Sequence, residues 1–156
     1  MIGCVPRLSP AAWDDPVVQH LTDAQQTELR ARYDGDSEPG VKPSAADVAV
    51  VLVARDDDGT PIGCGALRPL EAGAAELKRM YVVPAARGRG ISRLLLTGLE
   101  AEACTRGWTT LRLETGPKQP EAVALYTGAG YRPIGAFGHY VRPGEDWSLY
   151  FERTLG

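Results

Sequence analysis

The run "ELKRMYVVPAARGRGISRLLLTGLE", residues 76–100, constrains this chain more than any other stretch. Its first part is rich in β-branched and aromatic residues and stops at Pro84, which reads as a strand. From Ile91 the apolar positions Ile91, Leu95, Leu99 and Ala103 recur every four residues, with Leu94 and Gly98 completing the stripe. That spacing predicts an amphipathic helix ending at Gly107. Between the two elements lies Arg87-Gly88-Arg89-Gly90. A strand, a glycine turn and a helix start aim several backbone N–H groups the same way, and the helix dipole adds partial positive charge, so the unit suits a phosphate. Glycine at 88 and 90 permits unusual backbone angles and close approach of the ligand, while Arg87 and Arg89 place charge at the rim.

The same loop fits rival uses. It could be a flexible nucleic-acid arm or a solvated connector, but a net charge of −3 and a pI of about 5.4 give no general attraction to polyanions. The arginine-glycine pair also occurs once, between a β-branched and a leucine-rich run, and not in a low-complexity repeat. No Gly-x-x-x-x-Gly-Lys-Ser/Thr run exists, which excludes a P-loop. A dinucleotide fingerprint would begin at Gly88, yet Arg93 stands where its third glycine belongs. Glu114, at the end of the next strand, could mimic the ribose-binding acid, so this reading stays open.

The chain of 156 residues has the size of one domain, here residues 1–156. Its composition is that of an ordinary globular protein, and no apolar run approaches the length of a membrane span. No charged leader followed by an apolar stretch opens the sequence. Cys4, Cys64 and Cys104 are an odd number without metal-ligand spacing, which predicts reduced thiols in a cytoplasmic protein and no metal site.

Around the central unit, residues 14–33 read as one or two helices and residues 34–45 as a loop. Residues 47–54, "DVAVVLVA", read as a buried strand, Asp58-Gly59 as a turn and residues 62–70 as the returning strand of a hairpin. The long strand covers 74–83, "TTLRLET" (109–115) alternates as a strand, and residues 119–130 form a short helix with proline near its start and glycine at its end. Residues 131–137 and 147–155 supply two last strands. The fold class is therefore α/β, as one mixed domain.

"MYVVPAARGRGIS" resembles the acyl-coenzyme A signature of the GNAT superfamily of N-acetyltransferases, Gln/Arg-x-x-Gly-x-Gly/Ala, here Arg87-Gly88-Arg89-Gly90-Ile91-Ser92 with Ser92 where glycine or alanine is usual. "LETGPKQPEAVALYTGAGYRPI" looks like the superfamily's following motif, and the likeness runs from about Val48 to Leu155. It implies the GNAT acyl-CoA N-acyltransferase fold, a mixed central sheet with a splayed long strand and flanking helices. It also implies acetyl-CoA as cosubstrate, with main-chain groups of Met80, Tyr81 and Val82 along the pantetheine and the amides from Gly88 through Ile91 to Ser92 at the phosphates. The expected reaction is direct attack by a primary amine in a ternary complex. Tyr126 takes the place of the general acid and of a cofactor contact, and Glu76 that of a general base acting directly or through water.

Read from the residues alone, Tyr126 is equally an aromatic packed on the cofactor, and Glu76 an exposed strand carboxylate paired with Lys78 or Arg79. Cys64 and Cys104 are expected to be buried and inert, and His20 and His139 to be structural. Asp34, Asp36 and Glu38 make an acidic loop that could attract a cationic amine. The expected partners are acetyl-CoA and an amine, with no nucleic acid and no membrane, and a homodimer is compatible. A module that binds acyl-CoA as a sensor without turnover is the non-enzyme alternative.

Overall fold

Pro6 and Pro10 bracket a four-residue edge strand, β1 (Arg7–Pro10), which the sequence pattern does not announce because it is too short for an alternation to register. The computed structural model describes residues 5–35, 40–141 and 147–156. Helix α1 (Pro16–Arg32) is a single helix, started by Asp15, whose side chain accepts from the Val17 N–H at 2.8 Å, and by proline in its first turn. Then come β2 (Val50–Arg55), β3 (Pro61–Pro69), β4 (Ala74–Val82), α2 (Ile91–Thr105), β5 (Thr110–Thr115), α3 (Pro120–Gly128), β6 (Arg132–Ile134) and β7 (Leu149–Thr154).

The seven strands form one sheet in the order β1-β2-β3-β4-β5-β7-β6, and every neighbouring pair is antiparallel except β4 with β5. Alternate residues of β2 enter two different apolar clusters. Val50, Leu52 and Ala54 pack in the cluster that holds Ile91, Leu95, Leu96 and Leu99 of α2, and Val51 and Val53 in the one that holds Val18 and Leu21 of α1. Burial on both faces is why residues 50–54 read as an unbroken apolar run. Each such fully buried leucine or valine contributes about 1.5–3 kcal/mol. Gly65 lets α2 close on β3, since a Cβ there would lie 2.7 Å from Leu99 Cδ1 and 2.5 Å from Met80 Sδ.

Cys64 is buried, its thiol donates to the Arg79 carbonyl at 3.4 Å, and burial pushes its pKa up to about 12. Cys104 departs from expectation: it is exposed. It follows Ala103 of the buried stripe, and one step along a helix turns the side chain by roughly 100°, away from the sheet. Cys4 lies outside the described residues. Alkylation followed by peptide mapping should therefore modify Cys104 in the native protein and Cys64 only after denaturant is added.

Candidate active site

Strands β4 and β5 run side by side only from Ala74↔Thr110 to Glu76↔Arg112. Beyond Glu76 they part. On its other edge β4 stays paired with β3 but gains one residue, because Ala66↔Lys78 is followed by Cys64↔Tyr81. Arg79, inside this bulge, takes the left-handed conformation with φ of 59°. A non-glycine residue there costs about 1–2 kcal/mol, and the bend it permits turns the second half of β4 away from β5. The gap leaves the β5-facing main chain of Leu77 to Val82 outside any strand ladder, and Gln25 of α1 already uses one such group, donating to the Met80 carbonyl at 2.7 Å.

At the C-terminal end of β4 the loop behaves as its composition suggests. Gly88 and Gly90 have φ of 80° and 78°, and no atom lies within 4 Å of where a Cβ would stand on either, so space is open in front of them. Gly90 begins α2 without any side-chain cap, which leaves the first amides of a 15-residue helix facing outward. A cavity of about 370 Å³ runs from this terminus along β4, lined by Met80, Tyr81, Val82, Arg87, Gly88, Gly90, Ile91 and Ser92 together with Tyr126 of α3. Arg87 folds across its edge, donating to the Val82 carbonyl at 3.0 Å and to Glu28 at 2.9 Å. Arg89 does not line the cavity; it forms a two-pronged pair with Asp56, at 3.0 and 2.9 Å, which holds that carboxyl below its ordinary range. An anion carried on a long, flexible arm fits the open strand edge and the uncapped terminus together.

A smaller chamber of about 90 Å³ opens on the other side of the gap and shares Gln25, Leu29, Met80, Gln119 and Tyr126 with the first cavity. Tyr126 is thus the side chain at which the two spaces meet on α3. Several contacts fix it. The end of α3 is a Schellman turn in which Tyr131 N–H donates to the Tyr126 carbonyl at 3.0 Å and Gly130 N–H to Thr127 at 3.2 Å, with Gly130 at φ of 91°. The Tyr131 ring meets Tyr126 edge-on at 5.7 Å, and its hydroxyl donates to Glu100 at 2.9 Å. Burial, with the charge of Glu114 second, raises the Tyr126 pKa well above that of an ordinary phenol. The far wall comes from Tyr33, which donates to Gln119 at 3.2 Å, accepts from the Lys118 N–H at 3.1 Å and stacks on Trp147.

Glu76 is fully buried and lines neither space. Arg68 Nε donates to it at 2.7 Å, and the Tyr140 hydroxyl donates to its other oxygen. Arg68 also donates to the Val41 carbonyl at 2.7 Å, to Asp47 at 3.3 Å and to Nε2 of His139 at 3.1 Å, and Lys78 donates to Tyr140 at 3.2 Å. Burial holds the His139 pKa below its ordinary value, in keeping with a neutral ring that accepts from a guanidinium. The carboxylate that does line the smaller chamber is Glu114, at the end of β5. The sequence suggests Glu114 only as a ribose-binding acid; what brings it to this chamber is the parting of β4 from β5 after Glu76. Of the acidic loop, Asp36 and Glu38 lie outside the described residues. Among the described residues no cluster of side chains fits a metal ion, and no helix is long and apolar enough to cross a membrane.

The family model of the acetyltransferase (GNAT) domain matches residues 47–133. The chain belongs to the GNAT acetyltransferases and is an enzyme of acetyl transfer. It is 41% identical over 146 residues to an IAA acetyltransferase of Azospirillum brasilense, covering 86% of this chain and 93% of that one. A solved structure of a proposed acyl-CoA N-acyltransferase from Klebsiella pneumoniae is 33% identical, with a TM-score of 0.82 over 97% of this chain and 99% of the other. A GNAT family acetyltransferase from Elizabethkingia anophelis, solved with acetyl-CoA bound, shares the fold at 18% identity, with a TM-score of 0.70 and coverage of 96% and 98%.

The buried pair gives a stability test. Glu76→Gln leaves the Arg68 guanidinium, whose side chain is only 4% exposed, without its principal counter-charge. Denaturant unfolding should show a loss on the order of 3 kcal/mol.

Proposed function

We propose that this enzyme moves the acetyl group of acetyl-CoA to a primary amine by direct attack in a ternary complex. The observation that carries the reading is the meeting of two spaces at one buried phenol: a long cavity with an uncapped helix terminus at its far end, and a chamber that opens from the other side. The amides of Gly88, Gly90, Ile91 and Ser92 would hold the phosphates, and the open edge at Met80, Tyr81 and Val82 the pantetheine. Arg87 would exchange Glu28 for phosphate oxygen, while Arg89 would hold the loop to Asp56. Acetyl-CoA supplies an activated thioester.

The protein's own groups then have to manage protons. The acceptor ammonium loses one proton to become a nucleophile and a second as the C–N bond forms and the C–S bond breaks. Glu114, in the acceptor chamber, is placed to take the amine's proton directly or through water. Tyr126, at the junction, has its pKa raised by burial and would give its proton to the departing thiolate. Glu76 was expected as the base from resemblance; its buried pairing with Arg68 and Tyr140 supports instead a role in holding β4 and the wall behind Lys78.

Three measurements test this. Tyr126→Phe should retain coenzyme A affinity and lower kcat by roughly 10²-fold or more. In the wild type, because the Tyr126 pKa is raised, kcat should not fall as pH passes through the usual tyrosine range near 10. Gly90→Glu, which adds bulk and negative charge at a left-handed position, should abolish most coenzyme A binding in titration calorimetry. Equal affinities for mutant and wild type would remove the loop assignment, and binding of NAD in place of coenzyme A would favour a dinucleotide site.

A further inference from the structure

We infer that Gln25 of α1 sets the length of acyl group this enzyme accepts: its carboxamide, held across the neck between the two spaces, leaves room for acetyl and excludes longer chains. The inference deepens the transferase reading of the same site and rests on it.

Among the described residues five line both spaces, Gln25, Leu29, Met80, Gln119 and Tyr126. They form the neck in which a thioester has to lie if an amine in the smaller chamber is to reach it. The carbonyl carbon must face that chamber, so the rest of the acyl chain has to fit against the wall of the neck. Most of this wall cannot give way. Strand β4 is held on its far edge by β3, and Met80 packs its side chain against the α2 cluster, close to Gly65. Tyr126 is buried against Tyr131, and the Gln119 carboxamide oxygen accepts from both the Tyr33 hydroxyl at 3.2 Å and the Gly116 N–H at 3.0 Å. The other two residues come from α1, four positions apart and so on one face of that helix. Gln25 is the one that crosses to β4, where its Nε2 donates to the Met80 carbonyl at 2.7 Å. That bond, from a half-buried amide to main chain in the gap, fixes the carboxamide in place. A longer acyl chain would have to push it aside and part the amide from the carbonyl. It could not escape forward either, because the chamber beyond is only about 90 Å³ and the amine needs it.

Titration calorimetry on the full chain, with coenzyme A and with its acetyl, propionyl and butyryl thioesters, reads the neck without an acceptor. Each affinity is taken relative to coenzyme A on the same variant, which removes the effect of any unfolded protein. In wild type the butyryl thioester should bind at least roughly 10-fold more weakly than the acetyl one, the usual worth of a methylene that a site discriminates. Gln25→Ala should shrink that penalty by about the same factor. With the primary amine that releases thiol fastest from acetyl-CoA, the kcat/KM ratio of butyryl-CoA to acetyl-CoA should rise in the variant in parallel. Butyryl-CoA bound by wild type as tightly as acetyl-CoA, or a penalty undiminished in Gln25→Ala, would overturn the proposal and leave the transferase reading standing. Acetyl-CoA that binds yet releases no thiol with any primary amine would overturn the transferase reading and this proposal with it.

Discussion

The parting of β4 from β5 after Glu76 is the constraint on which the rest of the site depends. Two parallel neighbours in the middle of a sheet would ordinarily stay in register and leave no room between them. Here the extra residue opposite Cys64 and Ala66, with Arg79 in the left-handed region, bends one of them away. The strain is local and modest, about 1–2 kcal/mol, and is held by the packing of α2 on the face of the sheet and by the pairing of β4 with β3. Tyr126, Gln119 and Glu114 then line the opening because α3 and the end of β5 flank the gap.

Just before the point of divergence the sheet carries its most buried charge, the Glu76 carboxylate with Arg68 and Tyr140. Such a pair adds little net stability compared with apolar side chains, but breaking it is costly. The last strand contact between β4 and β5 falls at Glu76, and the chain opens one residue later. Around the larger cavity the acidic and basic groups are already joined to one another: Arg87 with Glu28, Glu28 with Arg32, and Arg32 with Glu121, linking the loop, α1 and α3. Exposed pairs of this kind are individually weak, so a phosphate can compete for their arginines.

Much of the fold was legible in the sequence because its signals are local. The apolar repeat from Ile91 to Ala103, the left-handed glycines 88 and 90, the proline that stops β4 and the glycine that ends α3 each act within a few residues, and each stands where it was expected. Two of the failures were also local in cause. Strand β1 is too short to carry a pattern, and Cys104 lies one step off the helical stripe, where cysteine as a residue type says nothing about facing.

The sequence by itself determined the order of elements from α1 onward, the family and the loop that begins α2, since hydrophobic period, turn residues and motif spacing are properties of neighbours along the chain. Only the tertiary structure decided which carboxylate lines the smaller chamber. Glu76 and Glu114 are both strand glutamates flanked by similar residues, and nothing near either one in sequence distinguishes them. Arg68, eight residues away, and Tyr140, sixty-four away, bury the first, while the divergence of β4 leaves the second in the gap. Side-chain access is set by what the fold brings from far along the chain, and that cannot be read from the residues on either side.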